Sequence, residues 1–320
     1  LSHKIVVTRS LPEDLLAPLH EQARLVVWPY EETPMPYRDL KQELQDADAL
    51  FCNVTDTIDQ ELIESAPKLK VIATMAVGYN NIDIPVCQKH GIKVAHTPDV
   101  LTETTADLTF TLLLSSARRV TEGEALIKNN QWQTWAPFFH TGVDIYEQRL
   151  GIIGMGRIGE AVARRAQGFS MDICYYNRSR NETAEQELGA AYLSFQEVLS
   201  SSDFVCVQTP LTPETKYLLD RKALFTMKEG SVLINTSRGG VIDEQALYEA
   251  LVDGPVGAAG LDVFEDEPIS SDHPLLQLPQ VTATPHIGSA TVATRRKMAA
   301  MTVRHIQQVL AGGSPEYAVV

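Results

Sequence analysis

Near the middle of the chain the apolar run Leu150-Gly151-Ile152-Ile153 leads into Gly154-Met155-Gly156-Arg157-Ile158-Gly159, which opens a helix-like stretch from Glu160 to Gln167. No other feature restricts the possible folds so strongly. A GxGxxG pattern is weak alone and becomes informative between a strand and a helix. The first glycine then permits a tight turn, the second lets backbone approach a pyrophosphate, and the third lets helix and strand pack closely. The helix N-terminus offers free N–H groups and partial positive charge to phosphates. The plainer alternative is a glycine-rich turn that holds nothing.

Short β-branched runs alternate with helix-like stretches on both sides of this turn. Before it come Ile5-Val6-Val7, Leu25-Val26-Val27, Ala49-Leu50-Phe51, Val71-Ile72-Ala73 and Lys93-Val94-Ala95, with amphipathic segments between several of them. From Leu150 onward a second series follows: Ile173–Tyr176, Phe204–Val207, Val232–Ile234, Ala258–Leu261 and Val281–Ala283. Such alternation predicts α/β architecture with parallel sheets, the second series forming a doubly wound one. Long helix-like stretches at about 104–128 and 290–310 flank that series. The expected organisation is therefore a discontinuous first domain, residues 1–99 plus 290–320, with a dinucleotide-binding domain over 100–289 inserted into it.

Bulk properties exclude several classes. The formal net charge of −14 repels phosphate backbones, so nucleic acid is not an expected partner. No run approaches 18 apolar residues, so no membrane association is expected, and the start Leu1-Ser2-His3-Lys4 lacks a signal-peptide pattern. The four cysteines, Cys52, Cys87, Cys174 and Cys206, are too far apart for a metal motif and read as buried thiols of a cytoplasmic protein. No metal site is expected.

An NAD site usually carries Asp or Glu at the end of the next strand, about 20 residues on, for the ribose 2′-hydroxyl. Here the sequence is Tyr176-Asn177-Arg178-Ser179-Arg180. A carboxylate would repel a 2′-phosphate, whereas an arginine and a hydroxyl can bind one. NADP is therefore the expected cofactor, with NAD possible; the alternative is that the arginines are solvated loop charges. Three later runs each end in polar residues, at positions that fall on the ligand-binding carboxyl edge of such a sheet. They are Asn235–Gly240, Gly260–Pro268 and Thr284–Ala290.

The glycine turn, the Arg238 segment, the Asp262–Glu267 segment and Pro285-His286-Ile287-Gly288 occur in an order that resembles the D-isomer-specific 2-hydroxyacid dehydrogenase family over essentially the whole chain. Met75–Asp83 resembles its substrate loop, and Thr105-Ala106-Asp107 the start of its first interdomain helix. Within the family the likeness is strongest to the glyoxylate/hydroxypyruvate reductase branch, 2-ketogluconate reductases included. It is carried by Thr134-Trp135-Ala136-Pro137, Asn177-Arg178-Ser179 and His286–Thr291.

The resemblance implies a Rossmann cofactor domain inserted into a flavodoxin-like α/β substrate domain. It implies NAD(P)H-dependent reduction of a small 2-keto acid to the D-2-hydroxy acid, with His286 as proton donor and Glu267 as its partner. An imidazole suits that role because its pKa lies near neutrality. Arg238 would bind the substrate carboxylate and polarise the keto oxygen. Backbone at Ala76, Val77 and Gly78 would hold the rest of the carboxylate. Trp135 would line a partner subunit's pocket, which implies a homodimer. The cofactor would be held by Thr105, Gly154, Gly156, Arg157, Ile158, Gly159, Asn177, Arg178, Ser179, Thr209, Pro210, Thr215, Thr236, Ser237, Asp262 and Gly288.

Each role has a bland competitor. His286 could be structural, Glu265-Asp266-Glu267 a solvated acidic turn, and Arg238 the cap of a strand. Phosphite and phosphoglycerate dehydrogenases are alternatives inside the family, and a dinucleotide-sensing corepressor-like protein is one outside enzymology. The uncharged Met75-Ala76-Val77 lacks the lysine of phosphite dehydrogenases.

Overall fold

Every strand-to-strand pairing among the named strands is parallel. The computed structural model describes residues 3–320; Leu1 and Ser2, on which the reading of the start partly rests, lie outside the described residues. In chain order, β1 (His3–Val7), α1 (Glu13–His20), β2 (Ala23–Val27), α2 (Tyr37–Leu44), β3 (Ala49–Cys52), α3 (Gln60–Glu64), β4 (Val71–Thr74), α4 (Ile84–Lys89) and β5 (Lys93–Ala95) come first. Then follow α5 (Thr102–Ala117), α6 (Val120–Lys128), β6 (Arg149–Ile153), α7 (Arg157–Gln167), β7 (Asp172–Tyr176), α8 (Glu182–Leu188) and β8 (Ala191–Tyr192). The rest comprises α9 (Phe195–Ser201), β9 (Phe204–Val207), α10 (Arg221–Leu224), β10 (Ser231–Asn235), α11 (Glu244–Val252), β11 (Val256–Leu261), β12 (Val281–Ala283) and α12 (Val292–Leu310).

The chain forms two units. One takes in the chain as far as Leu101 together with Ala290–Val320; the other is Thr102–Ser289. The first holds a five-stranded sheet of order β2-β1-β3-β4-β5, the flavodoxin-like order. Its strands β3 and β4 are buried along their whole length, which is why they read as unbroken apolar runs instead of alternating ones. The terminal helix α12 packs on β3 and β4, and the segment after it returns to the sheet edge through an antiparallel bridge between Ala318 and Ala95.

The second unit holds a seven-stranded sheet, β12-β11-β10-β9-β6-β7-β8. Counted from β6, this is the Rossmann order 3-2-1-4-5-6 extended by one strand. Alternate residues of β10 serve opposite faces: Val232 and Ile234 join one apolar core, Leu233 the other. Strand β8 has two residues, too few to show as an apolar run in the sequence. The long helix-like stretch from about 104 to 128 is two helices. It breaks where Arg119 takes a positive φ of 52°, and α6 buries none of its residues.

Candidate active site

The order of the larger sheet reverses between β6 and β9, and the turns after these two strands meet there. Gly154 has φ 103°, and a Cβ on it would lie 2.8 Å from the Gln208 carbonyl carbon and 3.0 Å from the Thr209 nitrogen. Only glycine permits both the backbone sign and the close approach. A Cβ on Gly159 would meet the Gly154 oxygen at 2.4 Å, so α7 sits directly on the turn, while Gly156 faces open space. Gly156 caps α7 without a side-chain hydrogen bond, and nearby the Thr209 hydroxyl oxygen is buried with no partner among the described residues. An uncapped helix start, open space before it and an orphaned hydroxyl beside it fit a dinucleotide's pyrophosphate.

The end of β7 carries no carboxylate. Asn177 is engaged with the turn itself: its Oδ1 accepts from the Met155 N–H at 2.7 Å and its Nδ2 donates to the Met155 carbonyl at 3.2 Å. It braces the glycine turn. The two arginines differ. Arg180 is paired with Glu185 and lies 5.8 Å from the Tyr192 ring centre. Arg178 and Ser179 are exposed, and Arg178 forms no ion pair with a described residue.

Beyond the carboxyl ends of β10, β11 and β12 lie Arg238, Glu267 and His286. His286 Nδ1 lies 2.6 Å from Glu267 Oε2. A carboxylate only accepts, so Nδ1 carries the proton and Nε2 is left outside this contact. Burial works against the Glu267 charge. The hydrogen bond and charge of His286, the Phe264 N–H and the charge of Arg238 outweigh burial and hold the Glu267 carboxyl below its usual range. Glu267 therefore responds to both side chains. Burial also draws the Arg238 guanidinium below its ordinary pKa, with Glu267 acting in the opposite sense. This proximity depends on Gly239, where a Cβ would fall 1.9 Å from the Phe264 carbonyl carbon. The Arg238 loop and the 264–267 loop thus pack backbone to backbone.

Asp262 organises the His286 loop. Its Oδ1 accepts from the Thr284 hydroxyl at 2.6 Å and the Ile287 N–H at 2.8 Å, and its Oδ2 from the Gly288 N–H at 2.8 Å. His286 itself has φ 53°, a left-handed conformation that costs a non-glycine residue of the order of 1 kcal/mol or more. The grip on both sides of it offsets that cost. Burial raises the Asp262 carboxyl above its usual range despite these donors and the charge of His286.

Among known proteins, the family model for the D-isomer specific 2-hydroxyacid dehydrogenase NAD binding domain matches residues 110–288. A glyoxylate reductase of Korarchaeum cryptofilum is 46% identical over 304 residues, covering 95% of this chain and 91% of the relative. The chain belongs to the D-isomer specific 2-hydroxyacid dehydrogenase family. As a member it is an oxidoreductase acting on CH–OH groups. A solved protein of Thermus thermophilus superposes with a TM-score of 0.92 at 44% identity, covering 99% of this chain and 100% of that one. The NADPH-dependent glyoxylate/hydroxypyruvate reductase of Sinorhizobium meliloti, in complex with NADP and malonate, gives 0.87 at 29% identity, covering 100% and 97%.

The other residues that the dehydrogenase resemblance singled out are placed as follows. Thr236 is buried, its hydroxyl 2.7 Å from that of Thr109 and accepting from Gln208 Nε2 at 2.9 Å. Ser237 turns its hydroxyl to Asn235 Oδ1 at 2.8 Å. Thr215 closes its own loop by donating to the Pro210 carbonyl at 2.6 Å. Thr105 is buried and lies near the space that a Cβ on Gly288 would take. Ile158 is half-buried against the core and Arg157 is exposed. Trp135 stands 77% exposed. Ala76, Val77 and Gly78 belong to the first unit, directly after β4. Sequence reasoning missed Gly239, whose role needs the facing loop, and the Gln208–Thr109–Thr236 network, which joins three separate elements.

Proposed function

We propose that this enzyme reduces glyoxylate, and hydroxypyruvate as a second substrate, to the D-2-hydroxy acid with NADPH. The observation that carries the reading is the 2.6 Å contact between His286 and Glu267, with Arg238 within electrostatic reach of the same carboxylate. Glyoxylate reductases among the relatives support the substrate class. When bound, the nicotinamide supplies the hydride. His286 Nε2 then delivers the proton that the developing alkoxide needs, and Glu267 keeps the ring oriented. Arg238 binds the substrate carboxylate and polarises the keto oxygen. The Ala76–Gly78 loop supplies backbone N–H groups to that carboxylate.

Arg178 and Ser179 are assigned to the 2′-phosphate of NADPH; the exposure of Arg178 supports this, and NADH serves as the poorer cofactor. The exposed Trp132, Trp135, Phe138 and Phe139 lie on a stretch next to α6, itself without a buried residue. An apolar surface of this kind supports a homodimer. Among the described residues no helix is long and apolar enough to cross a membrane. All four thiols are free and buried, consistent with a reducing, cytoplasmic setting.

Catalytic efficiency measured for glyoxylate, hydroxypyruvate and 2-ketogluconate with each reduced cofactor tests the reading. It predicts glyoxylate with NADPH at the head of the matrix. Preference for NADH, or turnover of 2-ketogluconate alone, would overturn the corresponding part.

A further inference from the structure

The loop Ala76–Gly78 is held from one side by two consecutive residues at the end of β5. The Ala76 carbonyl accepts from the Thr97 N–H at 2.8 Å, and the Val77 carbonyl lies 2.8 Å from the Nδ1 of His96. A carbonyl can only accept, so Nδ1 of His96 carries the proton. In a trans peptide the N–H points opposite to the carbonyl of the same unit. Fixing the Ala76 carbonyl therefore aims the Val77 N–H, and fixing the Val77 carbonyl aims the Gly78 N–H, both away from β5. Neither N–H donates to a described residue. Two adjacent donors without a partner, pointing the same way, form a receptor for an anion.

His96 is well braced for this task. Its own N–H donates to the Tyr317 carbonyl at 3.3 Å, and Val319 N–H donates to the Val94 carbonyl at 2.7 Å. Its ring meets Tyr79 edge-on, the centres 5.5 Å apart. The C-terminal segment thus fixes the backbone of His96, and Tyr79 fixes the ring.

We propose that His96 is a positioning residue for the substrate: its Nδ1–H holds the Val77 carbonyl and so aims the Gly78 N–H at the substrate carboxylate. The proposal rests on the assignment of the Ala76–Gly78 loop to that carboxylate. It assigns His96 to substrate affinity and gives it no part in proton transfer or cofactor binding.

Steady-state kinetics with glyoxylate at saturating NADPH test it on three variants. His96→Leu removes the donor, His96→Gln moves it one bond further out, and His96→Asn keeps an N–H at the position of Nδ1. The expected result is a KM for glyoxylate raised roughly tenfold in the Leu and Gln variants, the scale of one weakened bond to a charged group. Turnover should stay within about threefold, the KM for NADPH should not change, and Asn should restore near-native values. An unchanged KM for glyoxylate in Leu or Gln, or an Asn variant as impaired as Leu, overturns the assignment of His96 while leaving the reductase reading intact. A loss of turnover at constant KM, or a raised KM for NADPH, also overturns it. A wild-type protein that turns over no 2-keto acid overturns the reductase reading, and this proposal with it.

Discussion

In the seven-stranded sheet the loop after β12 is gripped by a buried carboxylate: Asp262 takes a hydroxyl and two backbone N–H groups and holds His286 in a left-handed conformation. In the five-stranded sheet the loop after β4 is gripped by hydrogen-bond donors, the Thr97 N–H and the His96 ring. Both loops lie at the carboxyl edges of parallel sheets, yet one is held by an acceptor and the other by donors. The groups that grip and touch His286 are carboxylates, Asp262 through its flanking N–H groups and Glu267 through the ring. Around Val77 the surplus is two N–H donors, which favours an anion. Similar architecture thus presents an imidazole in one loop and bare backbone donors in the other through the identity of one or two bracing side chains.

Substitutions can break this contrast, and the largest effect is expected at His286. His286→Ala should lower turnover with glyoxylate on the order of a thousandfold while the dissociation constant for NADPH, followed by fluorescence, stays unchanged. Next comes the clamp. Asp262→Asn replaces one acceptor oxygen with an NH2 group that opposes the N–H of Ile287 or Gly288. It should cost about 1–3 kcal/mol in denaturant unfolding and reduce turnover roughly tenfold through a displaced His286. The cofactor side should respond more narrowly. Arg178→Ala is expected to lower catalytic efficiency with NADPH about tenfold and to leave NADH nearly unaffected.

The smallest effect concerns stability of the first unit. His305 on α12 is buried, neither ring nitrogen has a partner among the described residues, and burial first, then the charges of Arg304 and His96, push its pKa down to about 4. The unfolded chain takes up this proton near 6.5, before the folded one does. Stability from a neutral His305 is therefore fully present above about pH 6.5 and is lost as pH falls toward 4. The urea midpoint of the wild type should drop between pH 7 and 5 more than that of His305→Leu.

Much of this was legible in the sequence because parallel strands announce themselves. Runs such as Val71-Ile72-Ala73 and Phe204–Val207 are apolar on both faces, and each is a buried strand. The turn at Gly154 was readable because each glycine meets a local need that recurs with fixed spacing. Strand β8 and the break at Arg119 were not, since two paired residues and one change of φ leave no apolar period. The bracing groups were hidden for another reason. Asp262 is 22 to 26 residues from the donors it collects, and His96 is 19 from Val77, so their roles exist only once the loops are folded together. Asn177 was legible as the absence of a carboxylate. Its brace on Met155 was not.

The most direct test of the central claim is the product formed from hydroxypyruvate. Chiral analysis of glycerate alongside NADPH oxidation should give one D-glycerate for each NADPH consumed. L-glycerate, or NADPH consumption without glycerate, would contradict the account.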